Sequence, residues 1–558
     1  MANTKQRVVV VTGGAAGIGA AIAEELGRIG AFVVTLDPVV SVDGSSRIDD
    51  PERTTAQKIV DAGGTARASN TSVTDQEAVQ SLFAGLVDEF GSLDAVVNVA
   101  GISRVTDFAS GTEDDWAAVL SVHLDGYLNV LRAALPIMTK AGHGQILGVT
   151  SGSGWRPANV GAYGCAKRAV AALTWQIGQT TPAGVTVNAL SPIAATRMVT
   201  GGIARPPAAS SPGGSTTDTG GLNLGSMPPP ENLGPVGAYL ASEEFSSWCR
   251  GQIIFSGGSE LALLGRPRLL EVSRSADVTS LPHALETVIP VAFATAEAAQ
   301  GTNGGSNPRF GPVFEEPAAP LLQADNVRTA AIVTDDVAWG AAIGDALAAR
   351  GVKSVGVAAQ PVTVSAQKFG TAAEQLVQAA RDSGPLDAVV VALVGGGRGA
   401  DAGAGWQQVL DEHEGIAENV RTDAGWVRAV SDYSAENERP VRVVTVTNAT
   451  SSGGRSRGQS AAQLARAAHM ASSGRIDAFA ISVESAAESE RQTVADLAAH
   501  LVGHPDSGAL SGAELVVSTG WFGLRSHPSP AATISFGGPA IPEWLDGTLR
   551  TIVTASQG

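Results

Sequence analysis

Cysteine is nearly absent from this 558-residue sequence: Cys165 and Cys249 are the only two, too few for a disulfide framework or a thiolate metal cluster. That scarcity fits a reducing compartment, and the cytoplasm is the expectation. Positive charge is scarce too. With 37 Lys and Arg against 54 Asp and Glu, the formal net charge is −17, which repels phosphate backbones and anionic lipid and argues against nucleic acid or a membrane surface as partner. No run approaches the roughly 20 apolar residues that a membrane helix needs. The beginning, MANTKQRVVVVTGG, enters a short apolar strand without the apolar stretch and small-residue cleavage site of a signal peptide. Glycine, by contrast, is abundant at 67 residues, in a chain that is 44% hydrophobic and 16% charged. Such a composition belongs to globular α/β proteins, and the length suggests roughly two to four compact units.

Short β-branched runs at Val8 to Val11, Phe32 to Leu36, Ala95 to Val97, Ile146 to Val149, Val185 to Leu190 and Ile253 to Phe255 read as strands with helical patterns between them, hence a parallel sheet. The pattern stops from Thr200 to Pro230, where Gly, Pro, Ser and Thr predict a mobile loop or lid, and again from about Gly265 to Asp325. The expected units are residues 1–265, a linker 266–325, and residues 326–558. The second unit echoes the first. GSLDAVVNVAG from Gly91 returns as GPLDAVVVALVG from Gly384, and WAAVLSVH from Trp116 returns as WQQVLDEH from Trp406, at a nearly constant offset. Duplication explains this better than the general likeness of α/β strands. The predicted fold class is α/β, two Rossmann-like doubly wound parallel-sheet domains in tandem.

The first strand runs into Thr12-Gly13-Gly-Ala-Ala-Gly17-Ile18-Gly19 and then a helical stretch, the arrangement of a phosphate cradle. Gly13 permits the sharp turn, Gly17 the approach of a pyrophosphate, and Gly19 close helix–strand packing with the helix N-terminus facing the anion. Asp37 closes the second strand, where a carboxylate can accept from ribose hydroxyls and repel a 2′-phosphate, so NAD is the expected cofactor rather than NADP. Tyr163 and Lys167 lie at i and i+4 on one helix face, where the ammonium can favour the phenolate and Tyr163 can act as general acid or base.

Thr12 to Gly19, the turn Asn98-Val-Ala-Gly101, Tyr163-Gly-Cys-Ala-Lys167, Val187-Asn188-Ala-Leu-Ser-Pro192, Thr196 and Gly251 to Gly258 together resemble the short-chain dehydrogenase/reductase family over about residues 7 to 262. The resemblance implies an oxidoreductase in which Ser151 orients the substrate oxygen, although the family's usual spacing falls on Thr150, and Ser153 is also near. It implies that Ser72 and Val73 flank the adenine, that Asn98, Ala100 and Gly101 flank the adenosine ribose, and that Ile193 and Thr196 meet the carboxamide. Ile193 stands where the family generally has glycine. His123 stands where the family has an asparagine; it holds a relay water or serves packing alone.

In the second unit the loop after Ala330 to Val333 reads Thr334-Asp-Asp-Val-Ala-Trp339-Gly340. Its two acids would repel a pyrophosphate and Trp339 would block its approach. Val391 replaces Asn98, and Gln459 with Gln463, or Ser460 with Leu464, fall at the Tyr–Lys positions. The second half therefore reads as non-catalytic, an intramolecular stand-in for the partner subunit of a dimer, with a homodimer of whole chains left open. The expected activity is NAD-dependent interconversion of a secondary alcohol and a ketone, of the 3-hydroxyacyl-CoA or hydroxysteroid type, the Val-His-Leu-Asp-Gly segment resembling hydroxyacyl-CoA dehydrogenases. The competing class is a nucleotide-binding scaffold or redox sensor, against which the intact Tyr163–Lys167 pair counts. No metal site is expected.

Overall fold

The structure, a computed structural model, describes residues 6–49, 52–197, 227–275, 280–302, 327–359, 369–395, 405–485 and 487–557. Most of the expected lid, 198–226, and the centre of the expected linker, 303–326, lie outside the described residues. The strands are β1 (Val8–Thr12), β2 (Phe32–Leu36), β3 (Thr65–Ser69), β4 (Ala95–Asn98), β5 (Gly144–Val149), β6 (Val185–Pro192), β7 (Ile253–Ser256), β8 (Glu260–Gly265), β9 (Leu269–Arg274), β10 (Thr329–Thr334), β11 (Lys353–Ala358), β12 (Ala388–Ala392), β13 (Val441–Asn448), β14 (Ile476–Val483), β15 (Glu514–Ser518), β16 (Trp521–Arg525) and β17 (Ser529–Ser535).

They form two sheets, ordered β17-β8-β7-β6-β5-β4-β1-β2-β3 and β11-β10-β12-β13-β14-β15-β16-β9. Apart from β3 the orders are superimposable. Chain order reverses at β1 and β4 in one sheet and at β10 and β12 in the other, the crevice where doubly wound sheets hold ligands. Both sheets are parallel except at one end, where β8 and β17, or β16 and β9, run antiparallel. The six strands read from the sequence of the first half are all parallel, as expected; the antiparallel ones are additions to them.

Period-2 burial divides the apolar residues between layers. Val8 and Val10 face one cluster and Val9 and Val11 another; Ala331 and Val333 share the cluster of Val8 and Val10, while Ala330 and Ile332 face away. One apolar layer thus lies between the two sheets and belongs to both. Its helices include Gly161–Thr180, packed on Ser452–Ala471, and Ile416–Glu436, packed on both Gly161–Thr180 and Glu113–Leu120. The first pair is rich in Gly, Ala and Ser, which lets the backbones approach closely.

The expected boundaries at 265 and 326 do not follow the sheets. β9, placed in the linker by composition, pairs with β16 of the second sheet, and Leu285, Ile289 and Phe293 beyond it enter that sheet's core. In exchange β17 pairs with β8, and Leu545, Leu549 and Val553 of the helix Leu545–Gln557 pack with Val9 and Val11. Each half covers the open sheet edge of the other, where unpaired N–H and C=O groups would otherwise face solvent.

The repeated Leu-Asp-Ala-Val-Val segments have a shared physical task. Asp94 Oδ2 accepts from Val8 N at 2.7 Å, and Asp387 Oδ2 accepts from Arg328 N and Thr329 N at 2.8 and 3.0 Å. Each carboxylate ties the start of the central strand to its neighbour.

Candidate active site at the β1–β4 crevice

The cradle forms between β1 and the helix Gly17–Arg28. Gly13 and Gly17 have φ of 65° and 58°, the left-handed region that favours glycine. A Cβ on Gly13 would come within 2.9 Å of the Ala100 backbone, and one on Gly19 within 2.2 Å of Gly13 O. No side chain caps the helix at Ala16, so its first amides point into the crevice, as a pyrophosphate requires. Asp37 follows β2 and lines the same cavity with Gly13, Gly17, Ile18 and Gly19. Its oxygens accept from Ala15 N at 3.1 Å and Val39 N at 2.9 Å, which orients the carboxylate and leaves lone pairs for hydroxyl donors.

Thr12 and Asn98 are brought together rather than into the cavity. Thr12 Oγ1 donates to Asn98 Oδ1 at 2.9 Å and accepts from Ala100 N at 3.0 Å, a knot that fixes the ends of β1 and β4. Ser72 and Val73 also stand apart from the cavity lining. Ser72 pairs with Thr74, while the buried Val73 presents its carbonyl to Asn129 and its side chain to Gly126. Gly101, Ile193 and Thr196 do line the cavity. Ile193 needs no glycine-like backbone: its φ is not positive, and its amide donates to Ser256 O at 2.9 Å. Thr196 Cγ2 would sit 3.8 Å from a Cβ on Gly17, opposite the cradle.

The catalytic candidates converge from three elements. Ser151 opens the turn after β5 and lines the cavity beside Tyr163, where its hydroxyl favours the phenolate. Thr150 is spent elsewhere, its buried hydroxyl donating to Lys167 O at 2.9 Å. Ser153 also lines the cavity, but its amide, at 3.3 Å, donates to the Ser151 hydroxyl. Among the three hydroxyls, Ser151 is the one that acts on the Tyr163 phenol. Lys167 is buried, donates from Nζ to Val149 O at 2.7 Å, and lies 5.8 Å from the centre of the Tyr163 ring. Burial pulls its pKa down to about 7. Burial likewise pushes the Tyr163 phenol up, with the Ser151 hydrogen bond acting against it.

His123 lies in a single π-helical turn, Ser121–Asp125, a distortion frequent at functional sites. Its ring meets Tyr163 edge-on, centroids 5.1 Å apart, and a Cβ on Gly101 would strike it at 2.5 Å. Nε2 lies 2.9 Å from Ile102 O and 3.2 Å from Ile102 N, and Nδ1 is buried with no hydrogen-bond partner. Burial, then the Lys167 charge, hold the imidazole neutral with a pKa of about 3, against the Ile102 hydrogen bond. Ring and phenol share one cavity of about 570 Å³ with the cradle and Asp37. Other lining residues absent from the sequence-based set, among them Val40, Ile102, Arg104, Arg156 and Asn159, follow the carboxyl ends of β2, β4 and β5. That position after a parallel strand was the available signal.

At the corresponding crevice of the second sheet, carboxylates occupy the donors. Asp336 caps its helix by accepting from Ala338 N and Trp339 N at 2.8 and 3.0 Å, and Asp335 accepts from Val394 N and Gly395 N at 3.0 Å. The helices Gly161–Thr180 and Ser452–Ala471 both have 20 residues and end at the same distance before β6 and β14. Tyr163 and Lys167 therefore correspond to Gly454 and Gly458. Gln459 and Gln463, expected at those positions, instead reach into the first half. Gln459 Oε1 accepts from Arg168 Nε at 2.9 Å, and Gln463 Nε2 donates to Ser153 O and Arg156 O.

The short chain dehydrogenase family matches residues 7–202. A short-chain type dehydrogenase/reductase of Mycobacterium tuberculosis is 34% identical over 247 residues, 44% of this chain and 80% of that relative. A short-chain reductase protein of Streptomyces niveus, NovJ, is 36% identical over 201 residues, 36% of this chain and 73% of the relative. The N-domain of bacterial malonyl-CoA reductase, determined with NADP, superimposes with a TM-score of 0.62 over 92% of this chain and 97% of its own at 16% identity, a likeness of fold that takes in both sheets. Among the described residues no helix is long and apolar enough to cross a membrane. With the cradle, the Ser151–Tyr163–Lys167 group and these relatives in agreement, the chain belongs to the short-chain dehydrogenase/reductase family of oxidoreductases.

Proposed function

We propose that the protein is an NAD-dependent dehydrogenase that interconverts a secondary alcohol and a ketone at a single site in its first half. The observation that carries this reading is the convergence of Ser151, Tyr163 and Lys167 on the cavity that also holds the glycine cradle and Asp37. The residues fit a dinucleotide: Gly17 leaves open the space beside the cradle that a Cβ would enter, Gly13 and Gly19 let the cradle close on its own backbone, and Asp37 presents a carboxylate beside it. Bound there, the nicotinamide supplies the hydride acceptor for oxidation or the donor for reduction. Ser151 holds the substrate oxygen against Tyr163, whose phenolate accepts the hydroxyl proton during oxidation and whose phenol returns it during reduction. Lys167 places its ammonium beside the ring, and His123 Nδ1, buried without a partner, is left to hydrogen-bond a relay water. The second half, with Gly454 and Gly458 in place of tyrosine and lysine and carboxylates over its donors, is a duplicated, non-catalytic partner. Both cysteines are buried and unpaired, which suits a reducing cytoplasm.

The neighbouring malonyl-CoA reductase domain was determined with NADP; Asp37 carries the preference for NAD here. The reading is tested by a panel of acyl-CoA, steroid and small secondary alcohols with NAD, followed by NADH absorbance, with Asp37→Ala beside the wild type. Wild type oxidises at least one class. Asp37→Ala weakens NAD and lowers the NAD over NADP preference on the order of tenfold, because acceptor and repulsion are lost together. An unchanged preference contradicts the assignment of Asp37, and the absence of turnover across the panel contradicts the dehydrogenase.

A further inference from the structure

Ser151 acts only if the turn that carries it stays where it is, and the turn is short of partners of its own. After Ser151 the chain forms the 3-10 turn Gly152–Gly154, closed by Gly154 N to Ser151 O at 2.9 Å and Arg156 N to Gly152 O at 3.1 Å. The carbonyls of Ser153, Trp155 and Arg156 point away, towards the second half. Gln463 Nε2 donates to Ser153 O at 2.9 Å and to Arg156 O at 2.8 Å, and Arg466 Nη1 donates to Trp155 O at 2.9 Å. Three carbonyls of one turn are thus held by two side chains one helical turn apart on Ser452–Ala471. Gln463 is fully buried and its Oε1 has no partner, so the amide is oriented by the two carbonyls. Reversing it would set oxygen against oxygen. Arg466 is also buried and is fixed from behind by Glu297 Oε2 at 2.7 Å. On its other side the turn lies tight on the Tyr163 helix: a Cβ on Gly154 would meet Arg168 N and Lys167 C at 2.8 Å, and one on Gly164 would meet Ser153 O at 2.9 Å.

We infer that Gln463 and Arg466 of the non-catalytic half are positioning residues for the reaction in the first half, clamping the turn that aims the Ser151 hydroxyl at Tyr163. This rests on the dehydrogenase reading above. It gives the second half a task beyond burying apolar surface. Loss of the clamp lets the turn drift and carries the Ser151 hydroxyl away from the Tyr163 phenol. The other groups facing the phenol, Lys167 on its own helix and His123 on the π-helical turn, are untouched. Because that hydroxyl favours the phenolate, its withdrawal moves the pH at which Tyr163 serves as base upward, while the cradle and Asp37 lie elsewhere.

The test is Gln463→Met in the full chain, with the best alcohol of the panel, beside Ser151→Ala and Ser460→Ala. Ser460 donates from the same helix to Cys165 O at 3.1 Å and does not touch the turn. Gln463→Met is expected to lower kcat on the order of tenfold, to displace the pH profile of alcohol oxidation to higher pH, and to leave NAD affinity unchanged. It should also speed hydrogen exchange at the amides of Gly154 and Arg156 without any substrate present. Ser460→Ala leaves all four as in the wild type. Should Gln463→Met not fold, Arg466→Lys, which cannot span Trp155 O and Glu297 together, is read by the same four measurements. A folded variant with wild-type kcat, pH profile and exchange overturns the clamp. If Ser151→Ala also keeps full turnover, it is the dehydrogenase reading that has failed.

Discussion

Tyr163→Phe abolishes measurable turnover of a true substrate, a fall of roughly 10²–10⁴-fold for the loss of one positioned acid–base group, while NAD binds as before. The asymmetry follows from geometry. The phenol shares the cavity with Ser151 and is flanked by Lys167 and His123, whereas the cradle amides and Asp37 are set by β1, β2 and Gly13. The ring of phenylalanine preserves the edge-on contact with His123 and the burial of Lys167, so packing survives and only the proton path is removed. Steady-state rates together with calorimetric NAD binding check this. Near-normal turnover means the proton moves by another group.

Cutting the chain in two has a larger structural effect than any single substitution. A first half ending near Gly304 loses β17, the helix Leu545–Gln557, and the second-half share of the apolar layer that packs on Leu131, Leu173 and their neighbours. Leu545, Leu549 and Val553 alone are worth about 1.5–3 kcal/mol each by burial, together comparable to the whole stability of an ordinary domain. Such a fragment also exposes the unpaired edge of β8, a template for strand addition. The expected outcome is aggregation or a new dimer of first halves, seen by size-exclusion chromatography with light scattering. A truncated half that remains monomeric and fully active removes any structural need for residues 327–557.

The candidate site of the first half was legible because it is local. A strand, a glycine turn and a helix are contiguous from Val8 to Arg28, Tyr163 and Lys167 share one helix face, and the alternation of Val8 to Val11 splits cleanly between two cores. Even the weak echo of Leu-Asp-Ala-Val-Val had a cause, the carboxylates of Asp94 and Asp387 tying down β1 and β10. What sequence alone did not reveal depends on contacts between distant segments. β9, Leu-Leu-Glu-Val-Ser-Arg, and β17 are edge strands with little apolar alternation, so nothing local separates them from loop, and their exchange between sheets has no sequence signature. Gln459 and Gln463 looked like relics of a lost tyrosine and lysine; their partners, Arg168 and the turn after Ser151, lie some 300 residues away in sequence. Ser72 and Val73 were carried over from the family and stand outside the cavity lining, with Val73 buried against Gly126.

The central claim, one nucleotide site per chain formed by the first half, is tested most directly by calorimetric titration of NAD into the full-length protein, wild type and Gly19→Val. The wild type should bind about one NAD per chain, since Asp335 and Asp336 already occupy the second crevice's donors. Gly19→Val should bind none, because its Cβ would fall 2.2 Å from Gly13 O. Two equivalent sites in the wild type, or one site that survives Gly19→Val, would contradict the claim.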